Sequence, residues 1–137
     1  MVMNLKYPLL SNAFSSNDIN EGIKVLRSKR ITMSKITNKF EKFFAKKMGA
    51  KYAVMTNSGS SANLLAISCL TNPLSKNKIQ ASSEVIIPAI CWSTSLWPII
   101  QNNLKPVFVD VELGTFNIDI ESIEKKITKK TKAIMLV

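Results

Sequence analysis

The sequence contains no histidine and only two cysteines among its 137 residues. Without histidine, these residues can supply neither an imidazole general base nor an imidazole metal ligand. We predict no metal site in this sequence, and we assign no catalytic residue. The two thiols, Cys69 and Cys91, lie in apolar stretches, and we expect both to be buried and reduced rather than joined by a disulfide.

Long uninterrupted apolar runs are also missing. The most apolar region, residues 85–100, is broken by Pro88, by Pro98 and by a Ser-Thr-Ser run. It is therefore too short and too interrupted to cross a bilayer. The first eight residues lack the apolar core of a signal peptide. We expect a cytoplasmic protein with no membrane partner.

Acidic residues are scarce, since nine Asp and Glu against nineteen Lys and Arg give a formal net charge of +10. Such an excess of positive charge is compatible with a polyanionic partner. Lysines such as Lys39, Lys42 and Lys46 nevertheless alternate with apolar residues, which indicates solvated helix faces. Because no nucleic-acid recognition motif is visible, we expect no nucleic-acid partner. A non-catalytic basic module that binds nucleic acid is kept as the alternative function.

Apolar residues at helical spacing predict that residues 1–50 form an N-terminal helical segment. Asn17 or Asp18 is expected to cap the first helix, and the second helix runs from about Lys35 to Met48. It ends at Gly49, a residue typical of helix C-termini. Each helix carries one apolar stripe, formed by Ile19, Ile23 and Leu26 in the first helix and by Ile36, Phe40, Phe43, Phe44 and Met48 in the second.

Residues 51–137 alternate between strand-like and helix-like segments. Strands are predicted at 52–56, 85–87, 106–109 and 133–137, and helices at 62–70, at 93–102 and after Asp119. This alternation predicts an α/β fold with a mostly parallel sheet and helices on both faces. Asn103 is expected to adopt the left-handed conformation, and Trp97 is expected to lie in the core. The last helix is expected to turn a core face inward, formed by Ile120, Ile123 and Ile127.

A run of small polar residues, Asn57-Ser58-Gly59-Ser60-Ser61, joins the first predicted strand to the next helix. Glycine lets a backbone approach a ligand closely. Free N–H groups at the start of a helix, with the positive end of the helix dipole, favour a phosphate. Local chemistry alone favours a plain helix cap for the same residues.

Several segments occur in the order and spacing of one known family. They are Phe40-Glu41-Lys42-Phe43-Phe44-Ala45, Lys51-Tyr52-Ala53-Val54, Ser58-Gly59-Ser60-Ser61-Ala62-Asn63-Leu64-Leu65, Glu84-Val85-Ile86-Ile87-Pro88-Ala89, Pro106-Val107-Phe108-Val109-Asp110 and Phe116-Asn117-Ile118-Asp119. With them the sequence resembles the DegT/StrS-type, vitamin-B6-dependent sugar aminotransferases and dehydratases. The serine-rich form of the third segment is similar to the 3-dehydratase branch, which acts on GDP- or CDP-linked 4-keto-6-deoxyhexoses.

The resemblance implies the N-terminal part of the large domain of B6-dependent fold type I. Residues 51–137 would be a partial cofactor-binding domain, incomplete because it stops before the Schiff-base residue and the small C-terminal domain, and inactive alone. The implied cofactor is pyridoxal 5'-phosphate or pyridoxamine 5'-phosphate. Gly59, Ser60 and Ser61 would hold its phosphate, and Trp92 would stack on its ring unless it is a plain core aromatic.

The resemblance also implies a partner, a pathway and an assembly. The partner is a nucleotide-linked keto-deoxysugar substrate, the pathway is deoxysugar and lipopolysaccharide O-antigen biosynthesis, and the full enzyme is a homodimer. Asp110 matches a structural segment of the family, so we do not assign it a catalytic role. The chain departs from the family at two loops, where members carry Gly at Ser34 and Gly-Asp at Ser82-Ser83.

Overall fold

The computed structural model describes residue 10 and residues 13–32 and 34–137 of the chain. The chain divides into two compact units, Met1–Met55 and Thr56–Val137. The predicted boundary after residue 50 remains a prediction, and the two units are described separately.

The first unit contains helix α1, Ser16–Arg27, and helix α2, Lys35–Lys47. Ser15 caps α1, so the prediction of Asn17 or Asp18 as the cap is wrong. The Ser15 hydroxyl accepts the Asp18 N–H at 3.2 Å, and the Asp18 carboxylate accepts the Ser15 N–H at 2.8 Å. This reciprocal pairing explains the error, because Asp18 belongs to the cap from the third helical position. The hydrogen bond from the Ser15 side chain lowers the pKa of Asp18.

The apolar stripes of α1 and α2 form as helix faces but are largely exposed in the chain. In the two helices only Ala45 is buried. Phe40 and Phe44 stack on each other, with ring centroids 5.5 Å apart, and each keeps 44% of its surface exposed. Gly49 follows α2 with φ of 66°, which confirms its predicted role at the helix end.

The second unit contains three strands and three helices. Their bounds are α3 Gly59–Thr71, β1 Glu84–Pro88, α4 Ser93–Gln101, β2 Lys105–Val109, α5 Ile120–Lys126 and β3 Thr131–Ile134. Both β2 and β3 pair with β1 in parallel, giving the strand order β2-β1-β3. The predicted α/β fold with a parallel sheet is therefore confirmed.

The predicted strand over residues 52–56 does not form. Tyr52 and Val54 are exposed, and the backbone N–H of Met55 donates to the Glu41 carboxylate at 2.8 Å. Within the described residues no other strand pairs with this segment. An apolar, β-branched sequence without a pairing partner lacks the hydrogen bonds that make a strand.

The core of the second unit is built around β1. Val85, Ile86 and Ile87 are fully buried. Because successive side chains of a strand point to opposite faces, both faces of the sheet are covered at β1, as predicted for a buried parallel strand. On one face, Val85 and Ile87 form a cluster with Ile67 of α3, Ile99 of α4 and Leu104.

Three predictions of burial are wrong. Trp97 is 55% exposed, because the buried stripe of α4 consists of Ser95, Pro98 and Ile99, and position 97 lies beside it. Ile120 and Ile127 are exposed, since α5 is only seven residues long and contains no buried residue. Cys69 is exposed, whereas Cys91 is half-buried, and both thiols are free.

The two positions that depart from the family pattern differ in backbone conformation. Ser82 has φ of 64°, in the left-handed region that favours glycine, the residue that the family resemblance implies here. Ser34 has extended backbone and caps α2, so glycine is not required there. Asn103 has φ of 57°, which confirms its predicted left-handed conformation.

Candidate functional site

Helix α3 begins at Gly59, inside the Ser-Gly-Ser run and three residues before the predicted start at residue 62. The Ser58 hydroxyl accepts the backbone N–H of Ser61 at 3.2 Å and lies 3.2 Å from the Ser61 hydroxyl. The Thr56 hydroxyl donates to the Ser58 carbonyl at 2.9 Å, which fixes the chain as it enters the helix. Ser58 therefore provides the helix cap, and Gly59 and Ser60 are not needed for it.

The first two N–H groups of α3 point to no acceptor. Within the described part of the chain, the backbone N–H groups of Gly59 and Ser60 make no hydrogen bond to protein. These are donors that a helix cannot satisfy internally, and the positive end of its dipole lies at the same place. An anion placed there would receive both donors.

Gly59 leaves open space at this helix start. A Cβ atom added to it would meet nothing within 4 Å, and its φ does not lie in the left-handed region. Neither packing nor backbone conformation therefore requires glycine at position 59. Close approach of a ligand to the backbone is a third reason for a glycine, and the exposed position allows it.

A cavity of about 190 Å³ lies between the start of α3 and helix α4. It is lined by Ser60, Ser61, Leu64, Thr94, Trp97, Pro98 and Gln101. Pro98 lies inside α4 and has no N–H to donate to the Thr94 carbonyl four residues earlier. The polar residues of the lining are Ser60 and Ser61 from α3 and Thr94 and Gln101 from α4.

The structure brings Ser60 and Ser61 together at this cavity, but Trp92 does not line it. Trp92 is the residue before α4, with extended backbone, and its side chain is 73% exposed. It is thus no buried core aromatic within the chain, and its assignment to a cofactor ring remains a prediction. Sequence reasoning missed Trp97, Thr94 and Gln101, because nothing in the periodicity of α4 distinguishes a cavity-lining face from a solvent face.

The only pKa shift among buried carboxyl groups of the described chain belongs to Glu84, at the start of β1. Its pKa is lowered chiefly by the hydrogen bond from the Thr128 hydroxyl at 2.6 Å, with a smaller contribution from the Lys105 ammonium group at 3.4 Å. These partners hold the start of β1 to β2 and to the turn before β3. Glu84 is therefore a structural group.

Other kinds of site are not found in the described residues. No group of three or more Cys, Asp or Glu side chains there could hold a metal ion. None of the described helices is both long enough and apolar enough to span a membrane.

A parallel sheet whose strands are joined by helices, with an open N–H pair at a helix start, defines an α/β domain with a candidate anion site. The chain matches the model of the DegT/DnrJ/EryC1/StrS aminotransferase family over residues 13–137, and it belongs to that family. The resemblance seen in the sequence is therefore confirmed.

Among curated relatives, the chain is similar to GDP-4-keto-6-deoxy-D-mannose 3-dehydratase of Escherichia coli O55:H7. The two are 42% identical over 133 residues, which are 97% of this chain and 34% of the relative. It is 44% identical over 107 residues to the lipopolysaccharide biosynthesis protein RfbH of Salmonella typhimurium, covering 77% of this chain and 24% of the relative. The chain thus spans about a third of the length of the first of these relatives.

Solved structures give the same result. The chain superposes on the E. coli GDP-4-keto-6-deoxy-D-mannose 3-dehydratase with bound hydrated PLP with a TM-score of 0.84 and 43% identity, covering 93% of this chain and 33% of that one. An aminotransferase from Psychrobacter cryohalolentis gives a TM-score of 0.75 at 30% identity, with 93% and 31% covered. The architecture is therefore that of the B6-dependent fold type I enzymes over the matched third.

Proposed function

We propose that this chain is the cofactor-phosphate-binding part of a vitamin-B6-dependent nucleotide-sugar 3-dehydratase or aminotransferase. The observation that carries the proposal is its 42% identity, over 97% of its length, to a GDP-4-keto-6-deoxy-D-mannose 3-dehydratase. A solved relative of the same name contains bound PLP. The relatives include both dehydratases and transaminases, and the higher identities belong to the dehydratases.

The start of α3 fits the phosphate of pyridoxal or pyridoxamine 5'-phosphate. The backbone N–H groups of Gly59 and Ser60 and the hydroxyls of Ser60 and Ser61 would hold that phosphate. When bound, the cofactor supplies the electron sink for the reaction at the sugar. The residues of this chain bind and orient it, with the exposed indole of Trp92 offering a flat face for its ring.

The proposed substrate is a nucleotide-linked keto-deoxysugar, of the kind for which the relatives are named. A homodimer, a cytoplasmic location and a role in lipopolysaccharide O-antigen synthesis belong to the same proposal. The alternative, a basic module that binds nucleic acid, gains no support from the comparisons.

Tryptophan fluorescence tests the proposal. Titration with pyridoxamine 5'-phosphate should quench the fluorescence of the chain, whereas pyridoxamine without its phosphate should quench it far less. The reason is that the proposed donors at Gly59 and Ser60 recognise the phosphate. Equal quenching by the two compounds would contradict the proposal.

Two matched variants assign the quench to a residue. Trp92→Leu should abolish it, and Trp97→Leu should leave it in place, because the proposal has Trp92 as the residue that faces the ring. A quench that survives in Trp92→Leu and vanishes in Trp97→Leu would transfer the stacking role to the tryptophan that lines the α3–α4 cavity.

A further inference from the structure

Helix α2 has an inward side and an outward side within the first unit. Its buried or half-buried residues are Thr37, Glu41 and Ala45, spaced four residues apart. On this side the Glu41 carboxylate also accepts the backbone N–H of Met55 at 2.8 Å. Residues four apart lie on one side of a helix, so these three define the inward side of α2. The opposite side is exposed.

The outward side of α2 carries a line of lysines. At 3.6 residues per turn they fall within an arc of about 60°, and the line is about 17 Å long. Its members, all exposed, are Lys35, Lys39, Lys42 and Lys46. We call them the lysine line. Two exposed apolar side chains border it, Ile36 at 59% and Phe43 at 66%.

No acidic group neutralises the lysine line. The ion pairs of the described chain involve Lys24 and Lys105, so no member of the line has a carboxylate within 4.0 Å there. The residues outside the described part carry no acidic side chain. Lysines four residues apart on a helix repel each other, and Lys35 opposes the helix dipole at the start of α2. The line therefore does not stabilise α2, and its charge is available to an anionic partner.

We propose that the outward side of α2 binds the surface of an anionic lipid bilayer. A cluster of lysines on an amphipathic helix attracts acidic headgroups, and apolar side chains beside them enter the boundary between headgroups and acyl chains. The lysine line supplies the charge, and Ile36 and Phe43 supply the apolar contact. A straight line on one side of a helix meets a planar surface at all four lysines at once.

The composition of α2 favours a bilayer over a nucleic acid. The helix contains no arginine, whose planar fork recognises phosphates and base edges. An exposed isoleucine gains nothing from a hydrated phosphate backbone, whereas a bilayer removes it from water. Such a contact needs no membrane-spanning helix. It revises only the expectation, made from the sequence, that the protein has no membrane partner.

Co-sedimentation with lipid vesicles tests the proposal. The chain is mixed with vesicles of phosphatidylcholine alone or of phosphatidylcholine with one third phosphatidylglycerol. We expect binding to the vesicles that contain phosphatidylglycerol, far less binding to phosphatidylcholine alone, and loss of binding at high ionic strength. Equal binding to the two kinds of vesicle, or binding to neither, would overturn the proposal.

Paired substitutions locate the charge that binds. Lys39→Gln combined with Lys42→Gln should weaken binding by about twentyfold, because each lysine near an anionic surface contributes about fivefold. Glutamine is a good helix former, so α2 should persist, which circular dichroism checks. Lys126→Gln combined with Lys129→Gln removes the same charge from exposed positions of the second unit and should bind like the parent chain. Equal losses in the two pairs would mean that net charge, and not α2, determines binding.

A second substitution tests the apolar contact. Phe43→Ser should weaken vesicle binding by about fivefold or more. Phe116→Ser is the matched control, since Phe116 is 64% exposed but lies in the second unit. Equal binding of the two variants would contradict insertion of the outward side of α2.

An oligonucleotide competitor distinguishes the other polyanion. If a single-stranded oligonucleotide binds more tightly than the vesicles, with the same loss in the Lys39 and Lys42 variant, the ligand is a nucleic acid and the proposal is wrong. The proposal uses no residue at the start of α3. The cofactor titration and the vesicle experiment can therefore fail independently of each other.

Discussion

Ser60 contributes to the start of α3 in a way that its neighbour Ser58 does not. The hydroxyl of Ser58 forms the helix cap, whereas Ser60 lines the cavity. Neither the backbone N–H nor the hydroxyl of Ser60 has a partner in the described chain. A polar group that the fold does not use is available to a ligand. This difference allows stability and binding to be separated by substitution at a single position.

Ser60→Ala should weaken binding of pyridoxal 5'-phosphate and leave the stability of the chain nearly unchanged. A hydrogen bond to a charged phosphate contributes about 1.5–3 kcal/mol, which is roughly a tenfold or larger loss of affinity. Absorbance titration measures the affinity, and Ser75→Ala in the exposed loop after α3 is the matched control. Equal affinity in the two variants would show that Ser60 does not contact the cofactor.

Ser82 has a backbone conformation that is unfavourable for serine and almost free of strain for glycine. Its φ of 64° lies in the left-handed region, and its N–H donates to the Asn103 carbonyl at 2.8 Å, which holds it there. Ser82→Gly should therefore raise the free energy of unfolding by about 0.5–1 kcal/mol, since relief of strain exceeds the added chain entropy. Urea denaturation measures this. Ser75→Gly, at a position without positive φ, is the control and should not stabilise the chain. If both variants raised the free energy of unfolding equally, the explanation would be contradicted.

At the scale of elements, the sequence predicted best where the signal was local. Turn chemistry or short apolar runs predicted four features that the structure contains. They are the helix end at Gly49, the left-handed conformation of Asn103, the buried strand β1 and the helix after Asp119. The prediction of a strand at 52–56 was wrong because a strand depends on a pairing partner, which the sequence of the segment does not encode.

Burial of single side chains was harder to predict than the elements that carry them. Periodicity identified the apolar faces of α1 and α2 but not that these faces are largely exposed in the chain. At the site, the Ser-Gly-Ser run predicted the position of the open N–H groups. The α3–α4 cavity and Trp97 in its wall depend on how two helices pack, which no motif in either helix specifies.

The link between β1 and the turn before β3 predicts a dependence of stability on pH. The pKa of Glu84 is lowered in the folded chain, chiefly by the Thr128 hydroxyl. Its contribution to stability is therefore fully present above its unfolded pKa, about 4.3, and is lost as the pH falls through the folded pKa. Thr128→Val should lower the urea midpoint at pH 7 and reduce the further loss of stability on acidification.

Thr128→Ser provides the control for this prediction. It keeps a hydroxyl that can donate to Glu84, so it should behave like the parent chain at both pH 7 and pH 3.5. If Thr128→Val and the parent lose equal stability between these two values, the hydrogen bond does not determine the ionisation of Glu84.

At the scale of the whole molecule, the chain carries a proposed cofactor site and no assigned catalytic group. It spans about a third of the length of relatives that it otherwise matches closely. The open helix start in the second unit offers two backbone N–H groups without an acceptor in the described chain.

The most direct test of the cofactor site is an amide titration. A ¹⁵N-labelled chain is titrated with pyridoxamine 5'-phosphate, and with pyridoxamine as the control that lacks the phosphate. We expect the largest phosphate-dependent shifts at the backbone N–H groups of Gly59, Ser60 and Ser61, because two of these donors have no acceptor in the described chain and lie at the positive end of α3. A well-dispersed spectrum in which these three amides stay fixed, while pyridoxamine 5'-phosphate shifts others, would contradict the account.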